Sequence, residues 1–134
     1  MLDTSDIIST KCANFRIIEE GVIEIILLEN AEIDLEESKL MQRTSLSVMQ
    51  EKRFVALIDA RATVVVSKES REWGSSAEAQ KNMLAQAIIV NSMASRIIGN
   101  FIIKFHKPIA KTALFSDEKH ALQWLYEQKK FFNI

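Results

Sequence analysis

Short apolar runs alternate with amphipathic stretches along this chain, which is the pattern of an α/β protein. Two β-branched runs flank the dipeptide Glu20-Gly21, where Gly21 can adopt a positive φ, and this arrangement predicts an opening β-hairpin. Two later runs are almost continuously apolar, as expected of parallel strands that are buried on both faces. The strands are predicted at residues 15–19, 22–28, 53–59, 84–90 and 112–115.

Helices are predicted between these strands from capping residues and from apolar positions at three- and four-residue spacing. Asp34 predicts the start of a helix over residues 35–51, and Ser67 predicts the start of a short helix. A third helix is predicted at residues 93–105, because six apolar side chains recur there at helical spacing before Lys107-Pro108 ends it. The stretch Ser116-Asp117-Glu118 predicts a cap and first-turn negative charge for the last helix.

The order β-β-α-β-α-β-α-β-α predicts one α/β domain over residues 1–134, with a core at about residues 15–126. Alternating strands and helices imply right-handed crossovers and a mixed, mostly parallel sheet that is covered by helices. The opening hairpin contributes the antiparallel part of that sheet.

Composition and charge exclude several classes of partner. The formal net charge of -1 offers no bulk attraction to nucleic acid, and the apolar runs are far shorter than the roughly 20 residues that span a bilayer. The acidic N-terminus does not resemble a secretory signal, so we expect a cytoplasmic protein. Cys12 is the only cysteine, and the two histidines, His106 and His120, have no other ligand at metal-binding spacing. We therefore predict no metal site and no cofactor.

The element order resembles the STAS domain, the fold of anti-sigma-factor antagonists and sulphate-transporter tails. Two local motifs are similar to a bacterial branch of uncharacterised STAS-like proteins, which are often described together with the CRAL-TRIO-type lipid-binding fold. The resemblance covers about residues 15–126. The motifs are Ser95-Arg96-Ile97-Ile98-Gly99-Asn100-Phe101 with Lys104-Phe105-His106-Lys107-Pro108, and Phe115-Ser116-Asp117-Glu118 with Ala121-Leu122-Gln123-Trp124-Leu125.

The phosphorylation switch of the anti-sigma-factor antagonists does not transfer to this chain. Those proteins carry an Asp-Ser-Ser-Gly type motif at the start of their second helix, whereas this chain has Ser67-Lys68-Glu69-Ser70. A phosphate at Ser67 would meet a favourable helix N-terminus, but Glu69 would oppose it.

Polar residues follow the predicted strands at positions where an open α/β sheet binds its ligands, beyond the carboxyl ends of the strands. They predict a rim for a ligand or a partner. The alternative is purely structural: the serines cap helices, while Asp59 and Arg61 hold a loop in place. The predicted rim residues are Asp59, Arg61, Ser67, Asn91, Ser92 and Ser116.

The predicted third helix carries more apolar residues than one sheet-facing stripe needs. The surplus fits either a deeply buried helix or an exposed surface that forms a homodimer face or an apolar ligand pocket. The candidate residues are Ile97, Ile98, Phe101, Ile102 and Phe105.

Three functions are compatible with these patterns. The first is a non-enzymatic cytoplasmic regulatory or protein-interaction module, because no catalytic triad, phosphate loop or metal cluster is recognisable. The second is a carrier of a small apolar molecule or lipid. The third is an enzyme with Asp59 as a base and Arg61 as an anion clamp, a pair that occurs near many strand ends.

Overall fold

The computed structural model describes residues 6–91, 93, 96–97 and 108–134, and a mixed sheet of six strands lies at its centre. The strands are β1 (Ile8–Ser9), β2 (Ala13–Glu19), β3 (Val22–Leu27), β4 (Glu32–Ile33), β5 (Phe54–Asp59), β6 (Val65–Val66), β7 (Met83–Ile89) and β8 (Lys111–Phe115). The helices are α1 (Leu35–Val48), α2 (Lys68–Gly74) and α3 (Glu118–Phe132).

The strand order in the large sheet is β1-β2-β3-β5-β7-β8. Strands β1, β2 and β3 pair antiparallel, and the pairs β3/β5, β5/β7 and β7/β8 are parallel. Gly21 turns the opening hairpin with a φ of 80°, a backbone conformation that glycine adopts without strain. The predicted α/β class with a mixed, mostly parallel sheet is confirmed.

Each face of the sheet packs against a different helix. Helix α1 covers one face, where its residues Leu46 and Val48 and its C-cap Met49 join a core with Phe15, Ile23, Ile25, Phe54 and Ala56. Helix α3 covers the other face, where Ala121 and Leu125 pack on Val22, Val55, Leu57, Ala85, Ala87 and Ile89. Because side chains alternate across a strand, neighbouring residues of β5 supply both cores.

Two features of the fold differ from the prediction. Helix α1 ends at Val48 rather than at residue 51, because Gln50 and Glu51 have positive φ values of 56° and 61° that a right-handed helix does not accommodate. Strands β1, β4 and β6 were not predicted, since runs of two residues carry no periodic signal. Strands β4 and β6 form a separate parallel pair.

The predicted helix caps are confirmed at two of three positions. The side chain of Asp34 accepts a hydrogen bond from the Glu37 amide, and that of Ser67 accepts from the Ser70 amide. The expectation that Ser116 caps the last helix is wrong, because Asp117 caps α3 and accepts from the His120 amide. Aspartate is as good an N-cap as serine, so sequence alone did not separate these neighbours.

The predicted third helix, at residues 93–105, lies mainly outside the described residues. Met93, Arg96 and Ile97 are described and are helical. Within the described part of the chain, no helix combines the length and the apolar character needed to cross a membrane.

Candidate functional site

Asp59 and Arg61 form a forked ion pair at the carboxyl end of β5. The backbone amide and Nε of Arg61 donate to Asp59 Oδ1 at 3.1 and 3.0 Å, and Nη2 donates to Oδ2 at 2.7 Å. These bonds hold the pKa of the Asp59 carboxyl below its ordinary value, although partial burial opposes the effect. The same pairing raises the pKa of Arg61. Asp59 is therefore a fixed, ionised carboxylate at neutral pH.

Asn91 connects this ion pair to the next strand of the sheet. Its Nδ2 donates to the carbonyl oxygen of Arg61 at 2.8 Å, directly after the end of β7. The bond ties the loop after β5 to the chain leaving β7. Three predicted rim residues, Asp59, Arg61 and Asn91, thus form one hydrogen-bonded network.

Ser116 lies at the end of the neighbouring edge strand, β8, and accepts a hydrogen bond from Arg96 Nη2 at 2.6 Å. Arg96 was not among the predicted site residues. It stands in one of the two motifs that carry the family resemblance, and its place in an amphipathic helical pattern gives no signal of a site residue. With Ser116, it extends the polar carboxyl edge from β5 across β7 to β8.

A second ion pair, which sequence reasoning missed, lies on the α3 face of the sheet. Arg16 and Glu24 are partners across β2 and β3, and Arg16 Nη2 donates to Glu24 Oε1 at 2.8 Å. The Glu24 side chain is only 8% exposed, whereas that of Arg16 is 42% exposed. The available signal was a single glutamate inside the apolar run 22–28.

Glu24 is electrostatically coupled to the Asp59 network. Burial raises the pKa of Glu24, the charge and hydrogen bond of Arg16 oppose that rise, and the carboxylates of Glu118 and Asp59 add to it. Glu118 begins α3, so the helix that covers this face brings its first turn toward the edge. We call Arg16, Glu24, Asp59, Arg61 and Asn91 the carboxyl-edge cluster.

Arg16 has further donor capacity within this cluster. Its Nε atom is buried and has no hydrogen-bond partner among the described residues. A buried donor without a partner is energetically unfavourable. The observed ion pair with Glu24 therefore leaves the Arg16 Nε donor unused among the described residues.

Ser67 makes its hydrogen bonds with other elements than the Asp59 network does. Its amide donates to the Ile33 carbonyl at 3.0 Å, which joins the start of α2 to the small β4/β6 sheet. The Ser70 hydroxyl, one turn further on, shares a hydrogen bond with the Ser38 hydroxyl of α1. These contacts support the structural reading of Ser67 as a helix cap.

Ser92 and four of the predicted apolar positions lie outside the described residues. Of the five candidates on the predicted third helix, Ile97 is described, and it is 62% exposed. Met93, in the same segment, is 78% exposed. The undescribed positions are Ile98, Phe101, Ile102 and Phe105.

The described residues do not gather three or more histidine, cysteine, aspartate or glutamate side chains in an arrangement that could hold a metal ion. Cys12 is buried, and burial raises the pKa of its thiol, with a further contribution from the nearby Glu37 carboxylate. A thiol of raised pKa is a weak nucleophile at neutral pH.

Comparison with known proteins assigns the family and the fold. A solved structure from Shewanella loihica PV-4, an uncharacterised protein of the DUF3478 family with a SpoIIAA-like fold, superposes with a TM-score of 0.58. It is 17% identical in sequence, and the match covers 90% of each chain, so the likeness concerns the fold alone. No curated protein matches the sequence. The model of a family described as a domain of unknown function, DUF7793, matches residues 16–129. The chain therefore belongs to the DUF7793 family and has the SpoIIAA-like, STAS-type fold that its sequence predicts.

Proposed function

We propose that this protein is a non-enzymatic interaction module that binds a protein partner at the carboxyl edge of its sheet. One observation carries the proposal: Arg61 is held rigidly by both Asp59 oxygens, and its side chain is still 48% exposed. A pre-ordered, accessible guanidinium loses little conformational freedom on binding. Bound carboxylates of a partner would gain charge-assisted hydrogen bonds there.

The state of Asp59 supports binding over catalysis. A general base needs a pKa near the working pH and a free lone pair for the proton that it takes. Asp59 has a lowered pKa, and each of its carboxylate oxygens accepts from Arg61. Asp59 and Arg61, the two candidate catalytic residues, therefore pair their charges and hydrogen bonds with each other.

The surroundings of Arg61 favour a partner that combines acidic and apolar groups. Arg96, on the same edge, is flanked in sequence by the exposed apolar residues Met93 and Ile97. Interfaces between proteins typically combine arginine with exposed apolar side chains of this kind. A second copy of the chain is one candidate partner, and a different protein is the other.

Charge reversal of Arg61 tests this proposal. We expect Arg61→Glu to reduce recovery of the partner at least tenfold, because the new carboxylate would repel both Asp59 and an acidic partner. The measurement is quantitative affinity isolation of the tagged protein from its source cells, with a second, differently tagged copy present to detect self-association. The Arg61→Glu variant and the control variant described below are first checked for unfolding midpoints equal to that of the wild type.

The matched control is Arg43→Glu, which makes the same charge change at an exposed position of α1, on the opposite face of the sheet. We expect Arg43→Glu to retain the partners of the wild type. Equal recovery of every specific partner by the wild type and the Arg61→Glu variant would refute the proposal.

A further inference from the structure

A second candidate site lies on the α1 face of the sheet, behind the carboxyl-edge cluster. A cavity of about 180 Å³ opens between α1, the sheet and the segment 73–83 that connects α2 to β7. Its apolar lining includes Met41 and Leu46 of α1, Phe54 and Ile58 of β5, Met83 of β7 and the ring of Trp73. The cavity is therefore bounded by three elements that are far apart in the sequence, and it is open to solvent on one side.

The polar side chains around this cavity already have partners within the protein. Ser45 Oγ donates to the Met41 carbonyl at 3.1 Å, and Gln86 Nε2 donates to Thr112 Oγ1 at 3.0 Å. Trp73 Nε1 donates to Glu78 Oε2 at 3.2 Å. The surface offered to a ligand is consequently apolar, although several lining residues are polar.

Gln80 holds the outer wall of the cavity in place. Its side chain is buried, its Nε2 donates to the Gly74 carbonyl at 3.0 Å, and its Oε1 accepts from the Ala110 amide at 2.7 Å. These bonds attach the 73–83 segment to the start of β8. A cavity whose walls are fixed by buried hydrogen bonds is formed before any ligand arrives.

The charged residues near the opening of the cavity favour neither a positively nor a negatively charged ligand. Lys81 is the only charged residue among the described ones that line the cavity, and it is exposed. Glu78, three residues earlier in the same segment, carries one negative charge, and its carboxylate accepts from Trp73 Nε1 of the cavity wall. Selection must therefore come from size and apolarity.

The volume determines the size of the ligand. An engineered protein cavity of about 150 Å³ lined by apolar side chains binds benzene. A cavity of about 180 Å³ is large enough for one aromatic ring with a small substituent. A phospholipid or a long acyl chain could not be buried in this volume.

We propose that this cavity is a binding site for a small, uncharged apolar molecule the size of a single substituted aromatic ring. The site is separate from the carboxyl-edge cluster and does not depend on the proposed protein partner. Its described lining residues do not come from the segment Ile97 to Phe105, which the sequence suggested for an apolar ligand.

Titration of the ¹⁵N-labelled full-length protein with toluene, followed by NMR, tests the proposal. The chain has two tryptophans, and each reports on one side of the sheet. Trp73 lines the cavity, whereas Trp124 packs against Phe115 on the α3 face, with ring centroids 5.8 Å apart. We expect a saturable shift of the Trp73 indole signal and of the Gly74 amide, with Trp124 unchanged.

Ser45→Leu is the variant that fills the cavity, and Ser45→Ala is its matched control. Ser45 is buried and lines the cavity, so a leucine side chain there would occupy the space that the ring needs. We expect Ser45→Leu to weaken toluene binding at least tenfold, while Ser45→Ala retains it.

Three results would overturn the site: no saturable shift at Trp73 in the wild type, equal shifts at Trp73 and Trp124, or unchanged affinity in a folded Ser45→Leu variant. The wild-type titration decides the question even if Ser45→Leu does not fold. Saturable binding of benzoate with equal affinity would overturn the assigned preference for an uncharged ligand.

Discussion

Replacement of Leu125 by alanine is expected to lower the free energy of unfolding by about 2–5 kcal/mol. Leu125 is completely buried and packs α3 against β5 and β7. Its partners on the sheet include the fully buried Ala85 and Ala87, which let the helix approach closely. Because alanines have little side chain to move into the space, much of the cavity left by the mutation would persist.

Urea denaturation of Leu125→Ala beside Gln123→Ala measures this effect. Gln123 is exposed on the same helix, and its replacement should change the free energy of unfolding by no more than about 0.5 kcal/mol. Equal, small losses in both variants would mean that α3 does not cover this face of the sheet.

Replacement of Arg16 by leucine is expected to destabilise the protein by about 1–3 kcal/mol at pH 7. The variant would leave Glu24 as an ionised, mostly buried carboxylate without its cation. Breaking a fully buried pair costs about 3–5 kcal/mol, and the lower range applies because solvent reaches the Arg16 side chain.

The loss of stability in the Arg16→Leu variant should grow as the pH rises. The folded-state pKa of Glu24 is raised above its ordinary value of 4.5, and removal of Arg16 should raise it further. Its protonation therefore stabilises the folded state fully below the unfolded pKa, and that contribution disappears as the pH rises through the folded pKa. The deficit of Arg16→Leu should be largest at neutral pH and should shrink toward pH 4.

The double variant Arg16→Leu/Glu24→Leu is the control for this experiment. It removes both charges, and we expect it to recover most of the stability at pH 7, since an apolar pair of similar size fits a buried site. Thermal unfolding of the wild type and both variants between pH 4 and pH 7 measures the effect. A deficit in Arg16→Leu that is the same across this range would rule out Glu24 as its cause.

Local signals predicted much of this fold correctly. The caps at Asp34 and Ser67 act within three residues of chain, so their chemistry is legible in the sequence. The apolar run that ends at Asp59 predicted β5 almost to the residue, because a continuous apolar run of this length is too short for a typical helix and fits a strand that is buried on both faces. The ion pair of Asp59 with Arg61 spans two residues, and a contact that ties the loop was one of the two alternatives that the sequence left open for them.

Features that depend on strand register or on distant packing were not predictable in this way. Arg16 meets Glu24 only because the hairpin register aligns them, and a shift of one residue would separate their side chains. The cavity on the α1 face requires α1, β5 and the 73–83 segment to meet, and periodicity within any one of them contains no trace of it. Ser67 was predicted to share a rim with Asp59. Its amide instead donates to Ile33 of β4, and Ser70, in the helix that Ser67 caps, contacts Ser38 of α1.

The central claim is that the carboxyl edge of the sheet, from Asp59 and Arg61 to Ser116, is the surface that binds the partner. Amide hydrogen exchange tests this claim most directly. It is measured on the protein alone and on its complex with the partner recovered by affinity isolation. We predict slower exchange in the complex at Arg61, Asn91 and Ser116, with the exposed face of α1 unchanged. Protection confined to α1, with unchanged exchange along the carboxyl edge, would contradict it.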